Sequence, residues 1–233
     1  MALGGTTFLA LWNDVVRVRE PEYDRWHTQE HVPERVAVTG FHGARRYVDR
    51  AREHHRYFTL YDVADLAVFE HPEYADLVAN PTPWSASMRP DFRNFLRAAC
   101  RVAVSRGDGI GAALAINCYL HADAPSLDLA VATALAHPGV TGCHVGEGSG
   151  GAAPAAWTNP PAASIVVRPF DRVMLIEAID RVSAVGALAA VRRRQGLVGL
   201  PADFGGDVYD LAFVFPGHDP AERMRHRRAG WNR

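Results

Sequence analysis

The sequence predicts an α+β fold of two tandem ferredoxin-like (βαββαβ) repeats whose antiparallel sheets pack face to face. Three observations carry this reading. Strand-like apolar runs and helical stretches follow the order strand, helix, strand, strand, helix, strand over residues 1–106, and the order returns over residues 107–233. A chain of 233 residues with 48% hydrophobic content can bury one large core or two small ones. A sheet with helices on one face needs cover on the other, and two such sheets in one chain cover each other.

The elements justify themselves in order. Thr7 to Asn13, TFLALWN, is a short run of strand formers ending at a polar Asn-Asp pair. Pro21-Glu22 starts a helix, with Glu22 and Asp24 favoured by the positive end of its dipole. Pro33 lacks an N–H and disfavours helical geometry at Val32, so the helix is expected to kink or end just past His31, with a further turn to Val38. After Thr39-Gly40, FHGARRYVD alternates as a second strand, with Phe41, Gly43, Arg45 and Tyr47 on one side and His42, Ala44, Arg46 and Val48 on the other. A charged hairpin, Arg50 to His55, leads to RYFTLYDV, the third strand. Asp65 caps a helical stretch that Pro72 divides. WSASMRPDFRNFLRAAC reads as helix broken near Pro90, and CRVAVS as the fourth strand.

In the second repeat GAALAINCYL is a strand, SLDLAVATALAHP a helix capped by Ser126, and VTGCHV a strand. A Gly/Ala/Pro loop over 146–163 precedes SIVVRPFDRVMLIEAI, a strand bent near Pro169; RVSAVGALAAVRRRQGL is a helix and YDLAFVFP the last strand. The tail Arg223, Arg225, His226, Arg227, Arg228 reads as a solvated terminus.

Composition excludes several function classes. A net charge of −1 and a pI of about 6.8 give no global field for nucleic acid or an anionic membrane. No apolar run approaches the ~20 residues of a spanning helix, and no basic leader precedes TFLALWN, so a soluble, cytoplasmic protein is expected. Cys100, Cys118 and Cys143 are odd in number, widely spaced and set among apolar residues, as reduced buried thiols are. Gly146 to Gly151 fits G-x-G-x-x-G, but AAPAAWTNPP follows where a dinucleotide site needs a helix, so it reads as a flexible loop.

The chemistry concentrates on one helix. At ~3.6 residues per turn, Tyr23, His27, His31 and Arg35 share a stripe, with Trp26, Glu30 and Glu34 beside it. Imidazoles titrate near neutral pH and move protons to or from carbon next to a carbonyl, so His31 and His27 are candidate acid/base residues, with Glu30 to orient or charge them. Tyr23, Trp26, Tyr47, Tyr61, Trp12 and Trp84 are candidate pocket aromatics, Arg35, Arg45 and Arg46 candidate ligands for a carboxylate or enolate oxygen, and Asn13 a candidate hydrogen-bonding residue. Arg45 and Arg46 are strand neighbours, so at most one reaches a given pocket. His27-Thr28-Gln29-Glu30-His31 also matches H-x-x-E-H, which makes His27 and His31 the ligands if a divalent metal is present. Pro33 and the lack of a clear third ligand argue against that use.

ALWND, YDRWHTQEHVPERV, GFHGARRYV, YFTLYDV, Asn80-Pro81-Thr82-Pro83-Trp84 and DFRNFLRAACRV together resemble the EthD-like branch of the dimeric α/β-barrel superfamily, over roughly residues 6–105. The resemblance implies two ferredoxin-like units paired into a barrel, with a ligand cavity between sheet and helices. It also implies a function drawn from cofactor-free monooxygenases, isomerases, cyclases, dehydratases and haem proteins, and it matches His31 to the branch's helix-end histidine. The expectation is an enzyme without organic cofactor acting on a small hydrophobic, aromatic or polyketide-like carbonyl compound as isomerase, cyclase, dehydratase or other lyase. The alternatives are a haem-binding or oxygen-using monooxygenase-like protein, a metal-dependent enzyme, and a non-catalytic ligand-binding accessory protein. Pairing as a homodimer stays open beside closure within one chain.

Overall fold

Every edge of the two half-sheets finds a partner, and that closes the structure. The computed structural model describes residues 3–119, 126–148, 166–167, 170–194 and 205–217. In the first half β1 (Thr7–Val15), β2 (Phe41–Val48), β3 (Tyr57–Val63) and β4 (Phe92–Gly107) lie in the order β4-β1-β3-β2. In the second, β5 (Ala113–Tyr119), β6 (Val140–Gly148), β8 (Arg172–Ala178) and β9 (Gly205–Pro216) lie in the order β9-β5-β8-β6. Antiparallel pairing of β2 with β9 and of β4 with β6 joins the halves into an eight-stranded barrel within one chain, which leaves it no open edge. A short β7 (Val166–Val167) adds to β4 in parallel at Leu96 and Arg97.

Alternation sorts the side chains. On β1, Phe8, Ala10 and Trp12 point into the barrel with Tyr47, Phe58 and Leu60, while Leu9, Leu11 and Asn13 face the helices. Against the outer face of the first half lie α1 (Glu20–Trp26), a π-helical turn (His27–His31), α2 (Val32–Val36), α3 (Pro72–Ala79) and α4 (Pro83–Met88). The second half carries α5 (Leu127–Leu135) and α6 (Arg181–Arg194). No described helix is long and apolar enough to cross a membrane. Asp65 caps its turn as expected, accepting from Ala67 N at 2.8 Å.

Several expectations are corrected. Residues 92–100 are strand rather than helix: β4 runs for 16 residues because its first part pairs with β1 and its second with β6. Pro90 ends the preceding helix, and Leu96, Ala98 and Cys100 then alternate into the barrel, a pattern whose period only the partner strand decides. The strand expected across Pro169 is two elements, β7 and β8. Ser126 sits at the start of α5 without a side-chain capping bond. The helix does not end past His31, because a π-turn absorbs the proline. A bulge between Phe41 and Gly43 moves Phe41 to the helix side with Ala44, leaving Arg45 and Tyr47 facing the interior. The loop expected over 146–163 lies outside the described residues beyond Gly148, as does the basic tail.

The halves repeat residue by residue. Gly40 and Gly139 precede β2 and β6 with φ of 91° and 82°, a turn that residues with a Cβ resist. Each strand then bulges at the same place, between Phe41 and Gly43 and between Val140 and Gly142. Carrying that register across the sheet pairs Asn13 with Tyr119, Thr59 with Met174 and Tyr61 with Ile176. The second half therefore fills with apolar core, Tyr119, Met174 and Ile176 against Ala130, Ala134 and Leu188, the space that the first half lines with polar groups.

Candidate active site

The polar stripe faces inward between helix and sheet. Four-residue spacing drifts by about 40° per step on a regular α-helix, so the stripe of Tyr23, His27, His31 and Arg35 would run obliquely across the helix face. The π-turn at His27–His31, closed by the Val32 N–H donating to the His27 carbonyl, takes up more residues per turn and holds the four on one side. Pro33 makes this local geometry favourable: a residue with no N–H to donate sits where the i→i−4 ladder is already interrupted. Such turns recur at functional sites.

The cavity against this stripe is lined by Leu9, Leu11 and Asn13 of β1, Thr59 and Tyr61 of β3, Phe92, Phe95 and Arg97 of β4, with Phe41 and Tyr74, and by Tyr23, His27, His31 and Arg35. It offers about 30 Å³ for the centres of water-sized molecules, room for one or two. A smaller recess on the other side of His31 and Arg35 is lined by Trp26, Glu34, Leu77, Ser85, Arg89 and Phe92.

Both imidazoles are held neutral. His27 is 4% exposed, and burial, helped by Arg46, His31 and Arg35, keeps it well below the usual imidazole range. Burial and the charges of Arg35 and Arg89 do the same to half-buried His31. Their rings lie 5.3 Å apart, and His31 stacks on Trp26 at 4.4 Å. His27 Nε2 is 3.5 Å from Thr59 Oγ1, whereas its Nδ1 has no hydrogen-bond partner among the described residues. Arg35 Nη1 and the Tyr61 hydroxyl are also buried without partners. In the recess, burial and the charge of Glu30 push the Glu34 carboxyl up to about 7.

The remaining candidates separate. Tyr23 and Asn13 belong to the cavity and bond to each other, the Tyr23 hydroxyl donating to Asn13 Oδ1 at 3.1 Å, so that proton is already used. Trp26 borders the recess and donates to Glu30 at 3.2 Å. Glu30 is a clamp rather than an acid/base partner: Thr82, Ser85 and Trp26 all donate to its Oε1, which ties the π-turn to the start of α4. That removes the glutamate from any zincin-like role, and no group of three or more metal-ligating side chains forms among the described residues. Trp84 lies outside the cavity and donates to Glu22 at 3.2 Å. Arg45 and Tyr47 are on the opposite face of the sheet; Arg45 reaches across the barrel to Glu177 on β8, which also accepts from Gly111 N at 2.7 Å. The arginine on the helix side is Arg46, which pairs with Asp24 and lies over the rings of Tyr23 and Tyr57 at 5.0 and 5.1 Å.

Sequence reading missed Thr59, Tyr74, Phe92, Phe95 and Arg97. The β4 residues were hidden by reading that segment as helix; the signal for Thr59 was its period-two relation to Tyr61.

No family model and no curated protein matches the chain. Solved structures do, at low identity. An anthrone oxidase-like protein aligns with a TM-score of 0.56 at 10% identity, over 94% of this chain and 97% of its own. A putative monooxygenase from Fusobacterium nucleatum subsp. nucleatum gives 0.56 at 14% identity, over 91% and 95%. The chain has the dimeric α/β-barrel fold. A putative chlorite dismutase with the same fold gives 0.50 at 11% identity, over 94% and 97%. In this dimeric α/β-barrel both units come from one polypeptide, and one of them holds the cavity.

Proposed function

We propose that the chain is a small-molecule enzyme that abstracts a proton from a hydrophobic, enolisable carbonyl compound whose carbonyl end enters the first-half cavity. The observation that carries this is a pair of imidazoles lining one cavity, where burial favours their neutral form, beside a phenol with no hydrogen-bond partner among the described residues. A neutral imidazole has a free lone pair and acts as a base. His31 is assigned the transfer because it borders both the cavity and the recess, where Glu34 lies. The C–H bond breaks, its proton goes to imidazole nitrogen, and its electron pair moves into an enolate whose oxygen accepts from the Tyr61 hydroxyl. Burial pushes the Tyr61 pKa up, so that hydroxyl stays a donor. The proton returned to a different carbon completes an isomerisation; the same proton given to a departing β-hydroxyl, as its C–O bond breaks, releases water and completes a dehydration.

The likeness to an anthrone oxidase-like protein favours a second outcome from the same enolate. With dioxygen as co-reactant, a ring CH2 becomes C=O and water is released. Deuterium uptake from D2O into anthrones and cyclic 1,3-diketones tests the shared step, and oxygen uptake separates the two outcomes. His31→Ala and His27→Ala are each expected to lower exchange by about 10²-fold or more. Exchange unchanged in both variants refutes the reading, and an effect on affinity alone makes the protein a carrier.

A further inference from the structure

We infer that the ligand of this cavity is an aromatic carboxylate, gripped through its charged oxygens by the Arg35 guanidinium. The inference rests on the proposed site for its location and adds a charge and a functional group to the substrate. Arg35 is 7% exposed, it makes no ion pair among the described residues, and its Nη1 has no hydrogen-bond partner. A buried cation without a counter-charge is costly, and proteins normally pair or hydrate it. Its partial compensation comes from the recess side, where the Glu34 carboxyl feels the Arg35 charge without forming an ion pair with it; the cavity lining holds two arginines, Arg35 and Arg97, and no carboxylate. The nearby Glu34 borders the other side, in the recess. The Tyr74 ring, 5.7 Å from the guanidinium carbon, softens the cost further.

The free volume has the matching size. Space for one or two water-sized centres accommodates a carboxylate headgroup but not a ring. The aromatic body then lies toward the half-buried side, where Tyr74, Phe95 and Arg97 are found. Tyr74 already stacks on Phe41 at 6.0 Å and 19°, so a planar ring meets planar surfaces there. Arg97, over the Phe69 ring at 5.0 Å and 3.5 Å from the Tyr74 hydroxyl, adds positive charge to the lining and favours arrival of an anion. A guanidinium holds a carboxylate through two parallel N–H donors, whereas a carboxamide offers one acceptor and no charge. The Tyr61 hydroxyl stays available for a neighbouring carbonyl, which describes an aromatic acid bearing an adjacent keto or hydroxyl group.

The test compares matched pairs, benzoate with benzamide and 2-naphthoate with 2-naphthamide, by calorimetry and thermal shift on the full chain. Expected is at least roughly tenfold tighter binding of each carboxylate than of its amide, lost in Arg35→Met and partly kept in Arg35→Lys. 1-Hydroxy-2-naphthoate is expected to bind tighter than 2-naphthoate, and 2-naphthol to bind no better than the amide. Equal binding of acid and amide, no binding of any acid by the folded parent protein, or undiminished acid binding in Arg35→Met overturns the inference. Preferential binding of 2-naphthol over 2-naphthoate also overturns it. Failure here leaves the histidine-dependent deuterium exchange of neutral ketones untouched, so the two readings fail separately.

Discussion

Replacing Arg35 with methionine is expected to make the ligand-free protein more stable while abolishing its preference for acids. Methionine keeps an unbranched stem in the same space, so the packing of Arg35 against its neighbours largely survives. What disappears is a buried cation with an unsatisfied Nη1, worth about 1–3 kcal/mol of penalty for the unmade hydrogen bond. Against that stands the loss of the cation over Tyr74, about 0.5–1 kcal/mol. The balance is a gain of roughly 0–2.5 kcal/mol, and at about 2–4 °C per kcal/mol for a chain of this size Tm rises by up to roughly 10 °C. Thermal unfolding by circular dichroism at pH 7.5 without ligand measures it, and urea titration checks that the change lies in the midpoint and not the slope. A Tm lowered by more than about 2 °C refutes the reasoning, because it makes Arg35 a structural residue whose charge is satisfied.

Three further outcomes follow from the same geometry. Neutral His27 and His31 take up protons in the unfolded chain near pH 6.5 but not in the folded one, so each weakens stability as pH falls below about 6.5, by up to about 1.4 kcal/mol per unit. Glu34, pushed up to about 7, works in the opposite sense between its unfolded value and that pH; the test is therefore the difference between parent and a His27→Gln/His31→Gln variant, which should be less acid-sensitive between pH 6.5 and 5. Glu30→Ala strands the donors of Thr82 and Ser85, while Trp26 Nε1 keeps Ser85 Oγ at 3.1 Å, and should cost roughly 2–4 kcal/mol in urea unfolding, with Glu30→Gln intermediate; a loss of exchange activity in a fully stable Glu30→Ala protein would restore its catalytic role. Arg45→Met leaves the buried Glu177 without its counter-charge, though still accepting from Gly111 N, and should cost about 3–5 kcal/mol, most of it recovered in Arg45→Met/Glu177→Leu; if the double variant is no better than the single, the pair is not the barrel's latch.

Much was legible in the chain itself. The order of strands and helices specified both repeats, because apolar periodicity and proline or glycine punctuation are local properties. The stripe of Tyr23, His27, His31 and Arg35 was legible for the same reason, and so was the absence of its like in LDLAVATAL. Two things were not. Phe92 to Cys100 carries apolar residues at spacings that suit either period, and only the hydrogen-bonding edges of β1 and β6 made it strand. Arg45 and Arg46 are indistinguishable as sequence, yet one bulge at Phe41–Gly43 and the pleat that follows send one to Glu177 across the barrel and the other beneath the histidines. The fate of Glu30 was decided likewise, by Thr82 and Ser85 arriving from 52 and 55 residues away. Sequence by itself determined which side chains share a helix face and which segments pair as repeats, since those follow from bonds between near neighbours. Tertiary structure decided which charges are paired, which stay bare and where the space is, because those depend on groups that meet only when the barrel closes.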